Sequence, residues 1–101
     1  MKLLIITAIL AFENDIKQML KKAHVKTFTY QKLKGFTNIS KEPIETNWFA
    51  TEKNETESIL FYAFVKKENI DLLFGLVTAF NEKQETLSNI HIAVLNIEKS
   101  N

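Results

Sequence analysis

The sequence predicts a small α+β domain in which a four-stranded antiparallel sheet has two helices on one face. Two observations support this prediction. Short apolar runs typical of strands alternate with two segments whose apolar residues recur every three or four positions, as in helices. The chain has 101 residues, of which only two are glycine and one is proline, so most of it is free to form regular structure. This length is typical of one domain, and we expect residues 1–101 to form a single one.

The first strand is predicted within residues 3–12, an apolar run that only Thr7 interrupts. Secretory signal peptides also contain such a run, but they end in small residues, and Ile9 fits poorly two places before a cleavage after Ala11. An amphipathic helix follows without a break, because the apolar residues at positions 12, 16, 19, 20 and 23 line one helical face. The run is also too short to span a membrane, which needs about 20 apolar residues. We therefore expect a buried strand of a cytoplasmic protein, with no direct membrane insertion.

The second strand is predicted within residues 25–36, where aromatic and aliphatic side chains are interleaved with polar ones. Gly35 marks the position where this strand ends or bulges. Residues 37–57 have no regular pattern and hold Pro43 and Trp48, the only proline and tryptophan of the chain. We predict a long loop there, and a connection of about 20 residues in a small domain is usually functional or disordered.

The last three elements are a strand, a helix and a strand. Residues 58–65 are an apolar run bounded by polar residues, and residues 90–97 have an apolar core. Between them a helix is predicted over residues 70–80, beginning after Asn69 as its N-cap. Gly75 lies inside this helix, where a glycine costs about 1 kcal/mol relative to alanine. Close packing of the helix against the sheet would explain that glycine.

The order of the predicted elements is strand, helix, strand, strand, helix, strand. With a right-handed crossover in each strand–helix–strand unit, this order predicts the ferredoxin-like fold, βαββαβ, whose two helices lie on one face of the sheet. Residues 58–65 have apolar side chains at both odd and even positions, so both faces of this strand require burial. We therefore expect copies of the chain to associate through the face that the helices leave open.

Parts of the sequence resemble the PII-like signal-transduction family. The opening MKLLIITAIL, followed by a phenylalanine and DIKQML, is similar to that family's first strand and helix. The family's second strand contains a threonine and ends in Lys-Gly-Phe, matched here by Thr29, Lys34, Gly35 and Phe36. A long loop follows in the family, and residues 37–57 take its place in this chain.

This resemblance implies a homotrimeric, non-catalytic regulator. Such proteins bind a small molecule in clefts between subunits and pass its state to a transporter or an enzyme through the long loop. The candidate ligand-binding residues are then Thr29, Lys34, Gly35 and Phe36. The candidate partner-binding residues of the loop are Glu45, Asn47, Trp48 and Phe49. Aromatic residues dominate interface hot spots, although Trp48 and Phe49 can equally pack back onto the sheet.

The resemblance also implies a phosphate-binding turn, glycine-rich and basic, between the second helix and the last strand. Residues 81–89 of this chain contain neither glycine nor arginine, and their two glutamates oppose one lysine. Backbone amides converge less easily on phosphate without glycine, and the carboxylates repel it. We therefore expect no nucleotide cofactor, and either a different ligand or none.

Two alternatives use other residues. His24 and His91, the only histidines, can bind a divalent metal with nearby carboxylates, which would suit a metal-tolerance or efflux-associated protein. The carboxylates available for this are Glu42, Glu45, Glu52, Glu55 and Glu57. The second alternative is a small, dimeric, cofactor-free oxygenase of ferredoxin-like fold, for which His91, Asn47 and Trp48 are available. No spacing signature supports either one, and ordinary surface histidines explain the same residues.

The composition excludes several classes of function. The chain has no cysteine, which removes thiolate nucleophiles, disulfides and zinc–thiolate sites. It has no Gly-x-Ser-x-Gly motif, no His-x-x-x-His pair and no Walker glycine loop, so we expect no enzymatic activity. A formal net charge of +1 argues against a main role in neutralising nucleic-acid phosphates.

Overall fold

The computed structural model describes residues 1–36 and 55–101. These residues form two helices and four strands, with a 3-10 turn, Leu10–Phe12, after the first strand. In chain order the elements are β1 (Lys2–Ile9), α1 (Glu13–Lys22), β2 (Thr29–Phe36), β3 (Glu55–Val65), α2 (Lys67–Lys83) and β4 (His91–Asn96). All neighbouring strands are antiparallel, and their order in the sheet is β2–β3–β1–β4. The predicted ferredoxin-like fold is confirmed.

Several element boundaries differ from the predicted ones. The strand β3 begins at Glu55 rather than at position 58, so part of the predicted loop belongs to the strand. The helix α2 begins at Lys67, which places Asn69 inside the helix instead of at its N-cap. In both places polar residues extend the element through backbone hydrogen bonds. Such bonds do not depend on the side chain, so no apolar pattern in the sequence marks these residues. The strand β2 begins only at Thr29, four residues later than expected.

The core lies between one face of the sheet and the two helices. Alternate residues of β1, including Leu4 and Ile6, face the helices and are almost fully buried. Their partners across the strands, Ala63 and Phe61 of β3, are buried with them. The helices complete this core with Ile16, Leu20, Leu73 and Val77. Because burial of one such side chain contributes about 1.5–3 kcal/mol, this layer is the main source of stability.

The helix α1 is joined to the edge strand β2 by one lysine. The Lys17 ammonium donates hydrogen bonds to Glu13 Oε2 at 2.7 Å and to the Tyr30 hydroxyl at 3.1 Å. The same ammonium lies 4.3 Å from the centre of the Tyr30 ring, which in turn stacks on Phe61 of the core. The hydrogen bond from Lys17 lowers the pKa of Glu13, and the one to Glu13 raises the pKa of Lys17. The lysine therefore links α1 to the aromatic side chains under β2.

The C-terminus of α1 is closed by a Schellman motif. The N–H of Val25 donates to the carbonyl of Leu20 at 2.9 Å, and the N–H of His24 donates to that of Lys21 at 3.1 Å. His24 occupies the left-handed position of this motif, with φ of 63°. Val25 and Leu20 are both buried, as the hydrophobic contact of the motif requires. The conformation of His24 is thus set by the end of the helix.

Gly75 has a different environment from the one expected. It lies on an exposed part of α2, and a Cβ added there would have no atom within 4 Å. Close packing of the helix on the sheet is therefore not the reason for this glycine, and that expectation is wrong. None of the described helices is long and apolar enough to cross a membrane.

We predict that Gly75→Ala stabilises the chain by about 1 kcal/mol, since alanine removes the conformational penalty of glycine in a helix. For a domain of this size, the midpoint of thermal unfolding should rise by about 4–8 °C. Thr78→Ala, a change at another exposed position of α2, is the matched control, with a gain of about half that size. A loss of stability with Gly75→Ala would contradict this account.

A second prediction concerns the dependence of stability on pH. Because the pKa of Glu13 is lowered in the folded state, its ion pair contributes fully above pH 4.5 and is lost as the pH falls through the lowered pKa. Glu13→Gln should be less stable than the unmodified chain at pH 7, and this difference should shrink below about pH 5. Urea unfolding between pH 7 and pH 3 measures it. Asp15→Asn, which also removes a carboxylate from this turn, is the control. Its difference in stability from the unmodified chain should not change between pH 7 and pH 3.

A third prediction separates the backbone of His24 from its imidazole. His24→Gly should raise the free energy of unfolding by about 1 kcal/mol, because glycine adopts the left-handed conformation without strain. His24→Ala also removes the imidazole but keeps the strain, so it should give no gain. Equal effects of both substitutions in chemical denaturation would show that the imidazole, not the backbone, determines stability here.

Candidate functional site

A cleft of about 500 Å³ lies at the end of the sheet where β1 ends. Its floor is formed by β1 and the first residues of β4, and its sides are the β2–β3 pair and the loop between α2 and β4. The polar side chains at this cleft include Thr7, Ser58, Asn89 and His91. The apolar ones include Leu33 and Leu87.

The pairing of the strands brings these residues together. Thr7 of β1 is opposite His91 of β4, and Ser58 of β3 is opposite both Ile9 of β1 and Leu33 of β2. All five lie on the face of the sheet away from the helices, because their chain neighbours Ala8 and Ile59 are buried under them. The floor of the cleft is therefore a consequence of strand register.

The predicted ligand-binding residues do not form one group. Gly35 and Phe36 line the cleft. Lys34 is opposite Glu57 on the other face of the β2–β3 pair and lines a separate groove. Thr29 begins β2, six residues before Gly35, which corresponds to about 20 Å along a strand. The structure thus brings together the glycine and the phenylalanine and leaves Thr29 and Lys34 outside the cleft.

The two histidines lie at opposite ends of the sheet. His91 begins β4, which is antiparallel to β1, so it lies where β1 ends. His24 precedes β2, which runs in the same direction as β1, and lies toward the end where these strands begin. Among residues 1–36 and 55–101, no three histidine or acidic side chains form a metal-binding group.

The predicted partner-binding residues Glu45, Asn47, Trp48 and Phe49 lie outside the described residues, as do the candidate metal ligands Glu42 and Glu52. Glu55 and Glu57 belong to the first residues of β3. These assignments stay predictions.

Most residues of the cleft were not predicted as site residues from the sequence, among them the polar Thr7, Ser58 and Asn89. Thr7 had a usable signal, since it is the only polar residue in an otherwise apolar run. Ser58 and Asn89 had none, because single polar residues at the ends of strands and in loops are ordinary. Only the register of strands far apart in the chain places them at the cleft.

The open face of the sheet, defined as the strand residues that point away from the helices, is mainly apolar beyond the cleft, with Thr29 and Gln31 of β2 as its polar residues there. Leu3 of β1 lies between Phe64 of β3 and Leu95 of β4, and Ile5 lies beside Tyr62. Phe64 is 57% exposed and Leu95 is 44% exposed in the single chain. Within the described strands, no lysine, arginine, aspartate or glutamate points to this face, although a quarter of the chain is charged. An apolar surface of this extent is typical of an interaction site.

No protein-family model matches this chain, and no curated protein matches it. Among solved structures, the chain is similar to CPII, a nitrogen regulatory PII-like protein from Thiomonas intermedia K12, whose structure was determined with ADP, AMP and bicarbonate bound. The two structures align with a TM-score of 0.60 and 19% sequence identity, over 97% of this chain and 94% of CPII. The resemblance seen in the sequence is therefore confirmed at the level of fold: this chain has the fold of a PII-like protein along almost its entire length.

Proposed function

We propose that this protein is a non-catalytic PII-like regulator that assembles as a homotrimer through the open face of its sheet. In this proposal, the cleft at the end of that face binds a small molecule, and the assembly reports its presence to a transporter or an enzyme. The observation that carries the proposal is the open face itself, which is mainly apolar and has no charged side chain among its described residues.

The physical chemistry of the open face favours another copy of the same chain as its partner. Phe64, Leu95 and Tyr62 are all large and exposed in the single chain. Burial of each would contribute about 1.5–3 kcal/mol, whereas exposure to water forgoes that gain. An uncharged face is compatible with itself, since its contact with a copy creates neither like-charge repulsion nor a buried unpaired ion. The choice of three copies over two follows from the resemblance to PII-like proteins.

The position of the cleft supports a sensing role. Thr7, Ser58 and His91, which line the cleft, belong to the same open face, so subunit association and cleft occupancy involve adjacent residues. A ligand that contacts both subunits would stabilise their association, and association would in turn favour ligand binding.

The β2–β3 pair supports transmission of the signal toward residues 37–57. It continues past the last pair between β1 and β3, with Gly35 opposite Thr56 and Phe36 opposite Glu55. Phe36 lines the cleft and directly precedes that segment. A contact at the cleft therefore acts on the residue next to the predicted partner-binding loop.

The non-catalytic part of the proposal rests on the chemistry of the cleft. Among its described lining residues, His91 is the single titratable side chain. Acid–base or nucleophilic catalysis ordinarily uses a second group that orients or activates the first. The separation of His24 from His91 gives the metal-binding alternative no support. The proposal also includes a cytoplasmic location, because a regulator has to share a compartment with the partner that it controls.

The proposal predicts a trimer in solution, of about 35 kDa from a chain of 11.7 kDa, in light scattering coupled to gel filtration. Phe64→Asp should weaken association more than 100-fold and shift the sample to monomers, because a carboxylate would become buried without a partner. Leu72→Asp introduces the same charge on the exposed surface of α2 and should leave the trimer intact. A monomer at the highest soluble concentration, or a Phe64→Asp variant that remains trimeric, would overturn the proposal.

A further inference from the structure

The loop between α2 and β4 is folded around its own side chains. The N–H of Thr86 donates to Gln84 Oε1 at 2.8 Å, and the N–H of Ser88 donates to Thr86 Oγ1 at 3.2 Å. The N–H of Ile90 donates to Asn81 Oδ1 at 2.8 Å. Every second backbone amide from position 86 to position 90 is thus already bonded to a side-chain oxygen. The Gln84 amide nitrogen closes the loop further by donating to the carbonyl of Thr86 at 2.7 Å and to Asn89 Oδ1 at 3.1 Å.

This hydrogen bonding leaves the loop poorly suited to an anion. A backbone site for phosphate or carboxylate needs successive N–H groups that converge on the ligand. Here the amides of Thr86, Ser88 and Ile90 would have to break existing bonds before they could do so. The cost of breaking those bonds would oppose anion binding.

The described lining of the cleft also lacks the charge that an anion requires. None of its residues is a lysine or an arginine, and none is an aspartate or a glutamate. The nearest basic residue along β2, Lys34, is on the opposite face and across from Glu57. In the loop itself, the exposed charged residue is Glu85, which would repel an anion. A phosphate in this cleft would lose its hydration without gaining a cationic partner from the described lining.

The groups that are present suit a neutral ligand. Thr7 and Ser88 supply hydroxyls, Asn89 supplies an amide, and His91 supplies an imidazole, which in its neutral form both donates and accepts hydrogen bonds. The apolar side chains available at the cleft are Leu33, which is 37% exposed, and Leu87, which is fully exposed. A cleft of about 500 Å³ lies within the range that holds small molecules.

We infer that the ligand of this cleft is an uncharged small molecule, with hydrogen-bonding groups that face Thr7, Asn89 and His91 and an apolar ring or chain that packs on Leu33 and Leu87. This inference rests on the proposed function, because it names the class of ligand that the regulator would sense. According to this inference, the polar and the apolar side chains of the cleft bind the ligand together. Phosphorylated compounds are not its preferred ligands.

Matched pairs of compounds that differ by one anionic group test the inference. The full-length, 15N-labelled chain is titrated with nicotinamide and nicotinate, with benzamide and benzoate, and with adenosine and AMP, while the amide resonances of Thr7, Asn89 and His91 are followed. At least one neutral member should shift these resonances, and it should bind at least 10-fold more tightly than its anionic counterpart. Tighter binding of the anionic members, or no shift at the cleft with any neutral member, would overturn the inference.

A gain of positive charge provides the matched control. Asn89→Lys places an ammonium at the cleft and should raise the affinity for AMP relative to adenosine by at least 10-fold. Thr78→Lys adds the same single positive charge on the exposed part of α2, away from the cleft, and should not change that ratio. Equal responses of the two variants would show that AMP is attracted by net charge and would count against the cleft as the site.

Light scattering on the same samples separates this inference from the proposed function. A trimer whose cleft prefers anionic compounds would overturn only the class of ligand. A chain that remains monomeric would overturn the regulator itself.

Discussion

The pairing of β1 with β3 on one side and β4 on the other is the constraint on which the rest of the structure depends. Because side chains alternate along a strand, this register directs Leu4 and Ile6 toward the helices and Leu3 and Ile5 toward the open face. A shift of one residue would exchange the two sets, expose the core and dismantle the floor of the cleft. The same backbone hydrogen bonds thus maintain both the stability of the fold and the geometry of the candidate site.

The sequence predicted the fold well where an element buries an apolar face. The first strand and the helix that follows it have clear apolar periodicities because each packs against the core along its length. Prediction was less accurate at Glu55 and Lys67, where β3 and α2 begin with polar residues that do not continue the apolar pattern of the element. The prediction for Gly75 was wrong, because the presence of a glycine in a helix does not show whether that side of the helix is packed or exposed.

The candidate site was predictable only in fragments. Gly35 and Phe36 were identified through a resemblance and His91 as a possible metal ligand, and neither argument placed them in one cleft. Their proximity depends on the register of strands that are tens of residues apart, which local patterns do not contain. The hydrogen bonds of the backbone amides in the α2–β4 loop were equally unpredictable, since they depend on side-chain conformations such as the rotamer of Gln84. The lack of glycine and arginine in that loop nevertheless pointed to the same conclusion as its hydrogen bonds.

The central place of β1 has a consequence for how the chain folds. Lys2 pairs with Val65 on one side and with Asn96 on the other, so β1 is synthesised before both of its neighbours in the sheet, β3 and β4. Contacts between such distant residues are slow to form, because a long loop must close before they provide any gain. Until β4 leaves the ribosome, an almost wholly apolar strand remains with an unpaired edge, a condition that favours aggregation. Completion of the sheet therefore waits for β4, and truncation of β4 affects β1 directly, because β1 then loses one of its two neighbours.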